Sequence, residues 1–173
     1  MTSALAAAAA LGITSAYLQQ RGLRLYAEAR ELVRADTGAD GREFQLTPAA
    51  AAAWQTMKAA AAADGITLVL ESAFRSVARQ VEILLAKLDA GLTLAEALAW
   101  VAPPGYSEHH TGCAVDIGTP GSVALQEEFE TTTAYAWLQA HAAGHGYTLS
   151  FPRGNSQGYG YEPWHWCYQG RNG

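Results

Sequence analysis

Two short segments constrain this chain more than anything else in it: SEHHTGCAVD at 107–116 and EPWHW at 162–166. Between them they carry two histidines, an aspartate and a glutamate in an arrangement that suits a catalytic zinc site. Such sites use three protein ligands and keep a fourth position for water. His109, Asp116 and His165 would supply the three ligands. Glu162, three residues before His165, is placed to take a proton from the water. Singly, a histidine among tryptophans or a His/Asp pair seven residues apart is an ordinary core or turn feature. The set gains weight because its members sit at two strand ends, with an acid nearby and little other charge. The rest of the chain then serves to hold these four side chains.

At 173 residues the chain has the length of one domain whose core needs no staples. Half of its residues are hydrophobic and 16% are charged, so it is globular rather than disordered. Eleven basic residues against sixteen acidic ones leave a formal charge of −5, which argues against a nucleic-acid partner. Two cysteines are too few for a disulfide framework. Cys113 and Cys167 adjoin the two metal-site segments; they either pair across neighbouring strands or, as expected, stay buried as free thiols. Ala4–Ile13 is an apolar run of signal-peptide length, but no Lys or Arg precedes it and its cleavage site is indistinct. A helix start is therefore expected, and the compartment stays open. The run is too short to span a bilayer, and no transmembrane segment is expected.

Ser15–Arg34 reads as a helix, with Leu18, Leu25, Ala29, Leu32 and Val33 near one face, and Asp36–Gly41 as a turn-rich linker. Thr47 caps and Pro48 opens a second helix that Asp64-Gly65 closes. Ile66–Leu70 reads as a buried strand. Ser76 begins a helix whose apolar stripe is Val77, Val81, Leu84, Leu85 and Leu88. Thr93 and Glu96 form a capping box for the next helix. Then come a strand at Cys113–Ile117, a helix at about Ala134–Ala143, and strands at Tyr147–Phe151 and Tyr161–Tyr168. Pro152–Gly160, with three glycines, reads as a mobile loop beside the site. The expected fold class is α+β, a small antiparallel sheet bearing the site and packed against several helices.

Ser107 to Asp116 matches the SxHxxGxAxD pattern of the LAS metallopeptidases, and Glu162-Pro163-Trp164-His165 matches their ExWH. Glu71–Ser76 (ESAFRS), with Gln80 following, is similar to the family's S-x-[YF]-R-S…Q stretch. Across about residues 46–170 the chain therefore resembles a family that includes VanY-type D,D-carboxypeptidases, L,D-carboxypeptidases, D-Ala-D-Ala dipeptidases and some phage endolysins. The resemblance implies the LAS/hedgehog-type peptidase fold for a zinc peptidase domain over 41–173; the first 40 residues lie outside it and read as an N-terminal helical segment, the chain being a single domain overall. It also implies one catalytic Zn2+ on His109, Asp116 and His165, with Glu162 as general base and then acid. Arg75 would stabilise the oxyanion or hold substrate. Ser107 and Gln80 look like the positions that grip the substrate's terminal carboxylate, and Trp164 like a substrate-side wall of the cleft.

His110 fills a variable place in the motif and reads as a spectator. His141 and His145 lie at a helix end, where the dipole favours histidine. Cys113 falls on the strand face opposite Asp116 and is no ligand. The implied activity is zinc-dependent removal of terminal D-alanine from peptidoglycan stem peptides, by a monomer. Two alternatives stay open: a peptidoglycan endopeptidase or endolysin cutting L-Ala–D-Glu or a cross-bridge, and a non-catalytic zinc-containing peptidoglycan-binding domain. Whether the penultimate residue must be D or L rests on loop geometry near Gly154–Gly160. Such a substrate implies the periplasm, cell wall or extracellular space.

Overall fold

Strand β4 (Ala114–Gly118) is buried at all five residues, which requires cover on both faces and a partner on each edge. The computed structural model, which describes residues 2–170, supplies both. β4 lies between β3 (Val69–Ser72) and β6 (His165–Tyr168), with β5 (Tyr147–Leu149) beyond, all antiparallel in the order β3-β4-β6-β5. Alternation along β4 then sorts its side chains. Val115 and Ile117 join Trp166 in the main core, together with Trp54 and Met57 of α3 (Pro48–Ala63) and Leu138 of α6 (Thr133–His141). Ala114 and Asp116 face the other way, opposite Cys167 and His165.

On that other side a second core forms. Helices α1 (Thr2–Ala10) and α2 (Ser15–Gln20) pack against α4 (Val77–Asp89) and α5 (Leu94–Leu98) through Ala8, Ile13, Leu18, Leu84, Ala97 and Leu98. The start and stop signals act as their chemistry requires. Pro48 occupies the first turn of α3, where its missing N–H costs nothing, and Gly65 leaves the helix at φ 76°. The Thr93–Glu96 capping box is complete on both sides. Both cysteines are free. Among the described residues no helix is long and apolar enough to cross a membrane.

Several expectations need correction; the strand expected at Ile66–Leu70 forms at Val69–Ser72, and the one expected at Tyr161–Tyr168 begins only at His165. The helix expected over Ser15–Arg34 stops at Gln20, capped by Arg21 and released by Gly22 at φ 59°. The leucines beyond it belong to an irregular strap. The supposed linker is the turn of a hairpin: β1 (Val33–Thr37) pairs with β2 (Glu43–Leu46), the turn closing with Gly38 N–H on the carbonyl of Arg42. β1 was hidden because its short Val-Arg-Ala-Asp alternation continues the leucine spacing before it. In α4 the inward face is Gln80 and Leu84, whereas Leu85 is exposed. An amide replaces an apolar residue there because Gln80 Nε2 donates to the carbonyl of Ala102 at 2.8 Å.

Candidate active site

Asp116 and His165 are register partners on β4 and β6, which places their side chains together on one face. His109 reaches them from a short 3-10 turn, Glu108–Thr111, in which its own N–H donates to the N-cap Ser107 Oγ. The turn ends at Gly112, φ 66°, where a Cβ would meet Leu32, Ala29 and Thr47 at 3.0–3.2 Å. Glu162 comes back over His165 through a tight turn, His165 N–H donating to the carbonyl of Glu162 at 3.1 Å. All four side chains are buried.

The ring nitrogens are spoken for in a definite way. His109 donates Nδ1–H to the carbonyl of Ala73 at 2.6 Å. That leaves the Nε2 lone pair aimed inward, buried and without a hydrogen-bond partner, 3.3 Å from Asp116 Oδ2. The other Asp116 oxygen lies 3.1 Å from His165 Nδ1. Ligands about 2.1 Å from a tetrahedral ion stand about 3.4 Å apart, close to both separations. One atom from each of the three residues lies within 4.8 Å of the others. An orphaned imidazole nitrogen, a two-sided carboxylate and a second imidazole are the donor set of a single metal ion.

The electrostatics follow from burial and neighbours. Burial, then the Arg75 charge, pushes the His109 imidazolium down to about 4, so its ring is neutral, as a ligand must be. Burial would also lower His165, but hydrogen bonds to Asp116 and Glu108 and the charges of Asp116 and Glu162 push it up to about 10. Burial opposes ionisation of Asp116, yet the two histidines hold it well below the usual carboxylate range. Glu162 is pushed up to about 7, by burial first; His165 opposes the rise and Asp116 adds to it. A carboxyl poised there can both take and return a proton near neutrality.

The site opens into a cleft of about 1010 Å³. Arg75, Gln80, Ser107 and Trp164 line it with the metal-site residues, so the sequence-predicted set is brought together in one place. Arg75 Nη2 lies 3.6 Å from Asp116 Oδ2, Nη1 donates to Gln80 Oε1 at 3.4 Å, and Nε is buried without a partner. His110 is no bystander. Its ring is buried, Nδ1–H donates to the carbonyl of Arg75 at 2.6 Å, and Nε2 accepts from Gly105 N–H at 3.0 Å. His141 and His145 instead lie against Trp137, with ring centroids at 4.8 and 6.2 Å. Cys113 packs with the main core, away from the ligand face.

One part-buried acid escaped the sequence reading. Glu108, at the variable place beside His109, sets Oε2 3.0 Å from His165 Nε2. The available signal was an unassigned carboxylate inside a segment otherwise devoted to one site.

Residues 43–171 match the VanY family, described as D-alanyl-D-alanine carboxypeptidase. A D-alanyl-D-alanine carboxypeptidase of Enterococcus faecalis is 36% identical over 121 residues, 64% of this chain and 43% of that protein. The chain thus spans less than half the length of that relative. Among solved structures, the LdcB LD-carboxypeptidase superposes with a TM-score of 0.75 at 33% identity, covering 84% of this chain and 71% of its own. A variant of the vancomycin-resistance D,D-pentapeptidase VanY from a VanB-type cassette, in complex with Zn(II), gives 0.63 at 31% identity, covering 81% and 79%.

Proposed function

The chain belongs to the VanY family of D-alanyl-D-alanine carboxypeptidases, and from that premise we propose that it is a zinc-dependent carboxypeptidase releasing the terminal D-alanine of peptidoglycan stem peptides. The observation that carries the proposal is the pairing of an orphaned ligand nitrogen on His109 with a carboxyl at Glu162 poised near pH 7, both facing one cleft. His109 through Nε2, Asp116 and His165 through Nδ1 would hold the ion. When bound, zinc supplies a Lewis acid and lowers the pKa of a water to ~7.

The chain's own residues then handle substrate and protons. Glu162 takes the proton of the attacking water and hands it to the departing amine of D-alanine, as its raised pKa permits. Arg75 offers the unpartnered Nε–H to the oxygen that gains charge in the tetrahedral state. Its anchorage on Asp116 and Gln80 fixes the guanidinium before substrate arrives. Ser107 Oγ accepts from His109 N–H, which leaves the hydroxyl hydrogen for the terminal carboxylate. Gln80 keeps one amide hydrogen for the same group, and Trp164 walls the cleft.

A second reading, removal of D-alanine from tetrapeptide stems, is favoured by the higher TM-score with the LD-carboxypeptidase. Mass spectrometry of stem peptides incubated with zinc-loaded protein separates the two, with Glu162→Gln as control. Pentapeptide shortened by one alanine supports the D,D activity; tetrapeptide shortened instead supports the L,D activity. Internal cleavage assigns an endopeptidase. No cleavage by a zinc-loaded protein overturns the enzymatic reading.

A further inference from the structure

Both histidine ligands use one ring nitrogen for the ion, and each has its other nitrogen fixed by the protein. For His109 the fixing group is the carbonyl of Ala73. For His165 it is Glu108, with Oε2 3.0 Å from Nε2. We propose that Glu108 is a positioning residue for the metal: its carboxylate takes Nε2–H of His165, which selects the tautomer whose Nδ1 lone pair faces Asp116 and His109. The inference rests on the metal reading of the site, and goes beyond it in naming what aims the third ligand. A carboxylate partner also raises the basicity of a ligating imidazole, and such partners are typically worth about 10–100-fold in metal affinity.

The setting of Glu108 supports a dedicated role. It immediately precedes His109, so one short turn delivers a ligand and the group that orients another ligand. Its side chain is 14% exposed, yet it forms no ion pair with Lys or Arg among the described residues. A buried carboxylate without a basic partner is costly unless several donors hold it. Besides His165, the hydroxyls of Ser150 and Tyr26 and the thiol of Cys167 are polar neighbours of it. Ser150 lies just beyond β5. Tyr26 lies before residue 43, where the family match begins.

Tyr26 is itself fixed by the backbone. Its N–H donates to the carbonyl of Gly105 at 2.8 Å, and Ala29 N–H donates to the carbonyl of His110 at 2.8 Å. The strap thus runs along the segment that carries His109, and close contact is built in: a Cβ at Gly105 would lie 3.1 Å from Leu25 Cδ1. The N-terminal segment is therefore joined to the metal centre through Tyr26, Glu108 and His165 in turn.

The test is zinc affinity by competition with a chromophoric chelator, measured on full-length protein whose folding is checked by circular dichroism. Glu108→Ala is expected to weaken zinc binding by about 10–100-fold. Glu108→Gln keeps an acceptor without the charge and should lie between wild type and Glu108→Ala. Tyr26→Phe removes only a hydroxyl beside Glu108 and should shift affinity in the same direction by less. Long-range 1H–15N spectra of the zinc-loaded wild type should show His165 protonated at Nε2. Wild-type zinc affinity in folded Glu108→Ala overturns the proposal while leaving the metal site standing. If Glu108→Ala does not fold, unchanged affinity in Glu108→Gln with His165 protonated at Nδ1 overturns it equally. Failure of the wild type to bind zinc overturns the metal site itself, and this inference with it.

Discussion

Asp116 and His165 stand opposite each other on adjacent strands, with Oδ1 3.1 Å from Nδ1. The second oxygen of the same carboxylate lies 3.3 Å from His109 Nε2 and 3.6 Å from Arg75 Nη2. One buried side chain therefore ties both imidazoles to the guanidinium on the substrate side. Asp116→Asn keeps the volume and removes the anion that all three require. Stripping a buried charge of its partner costs about 3–5 kcal/mol. The variant should lose zinc on dialysis and lose turnover, which elemental analysis of dialysed protein checks. Stoichiometric zinc in Asp116→Asn would exclude the carboxylate as a needed ligand.

Arg75 spans Asp116 and Gln80 with one planar group and keeps Nε in reserve. Lysine offers one compact ammonium and cannot reproduce that fork. Arg75→Lys should lower kcat by about 10²–10³-fold with zinc content unchanged, since one lost donor to the developing charge is worth that much. Steady-state kinetics beside metal analysis decides it. A change confined to KM would move Arg75 from charge stabilisation to ground-state binding.

Gly112 ends the turn that carries His109, at φ 66° and with three side chains within 3.2 Å of where a Cβ would sit. Left-handed backbone costs a residue with a Cβ about 1–2 kcal/mol, and the crowding adds to that. Gly112→Ala should lower stability by about 2–3 kcal/mol in denaturant unfolding. If the His109 turn relaxes to accept the Cβ, zinc affinity falls too.

The chemistry was more legible than the frame that carries it. His109, Asp116, Glu162 and His165 could be singled out from two short segments, through the family motifs those segments resemble, because each sits on a turn or a strand that its own neighbours specify. The start of α3 at Pro48, the Thr93–Glu96 capping box and the strand at Ala114 were likewise written in local signals. What stayed hidden depends on partners distant in sequence. Val33–Thr37 becomes a strand because Glu43–Leu46 pairs with it, and the strap from Leu23 to Leu32 stays irregular because its amides go to Gly105 and His110 instead of a helix. Glu108 gains its meaning from His165, 57 residues on; its own segment shows a spare carboxylate but not the partner it meets.

Arg21 shows how the strap region reaches the far wall of the cleft. Its Nε–H donates to the carbonyl of Gln157 at 2.6 Å, Nη1 donates to the carbonyl of Leu98 at 2.8 Å, and the guanidinium lies 4.3 Å from the Tyr159 ring centroid. Tyr159 lines the cleft. Arg21→Ala should cost about 2–3 kcal/mol, from the charged hydrogen bonds and the lost ring contact. With the 152–160 loop less firmly held, KM should rise more than kcat falls. Unchanged KM in a destabilised variant would show that the loop holds its place without this anchor.

The metal-free protein should also become less stable as pH rises from 7 to 10. His165 is pushed up from 6.5 to about 10 in the folded state, so its contribution is complete below pH 6.5 and is lost as pH climbs through 10. Glu162, raised from 4.5 to about 7, loses its contribution lower down, over pH 4.5 to 7. His109, lowered from 6.5 to about 4, gains over nearly the same span, so those two oppose each other and leave the His165 slope in view. Zinc takes the place of the proton on Nδ1, so its stabilising effect should grow over the interval in which the proton's effect fades. Thermal unfolding in chelator and in zinc, compared with His165→Gln, isolates the contribution. A metal-free midpoint that falls equally in wild type and His165→Gln would assign the slope to other groups and leave the imidazole neutral in the folded protein.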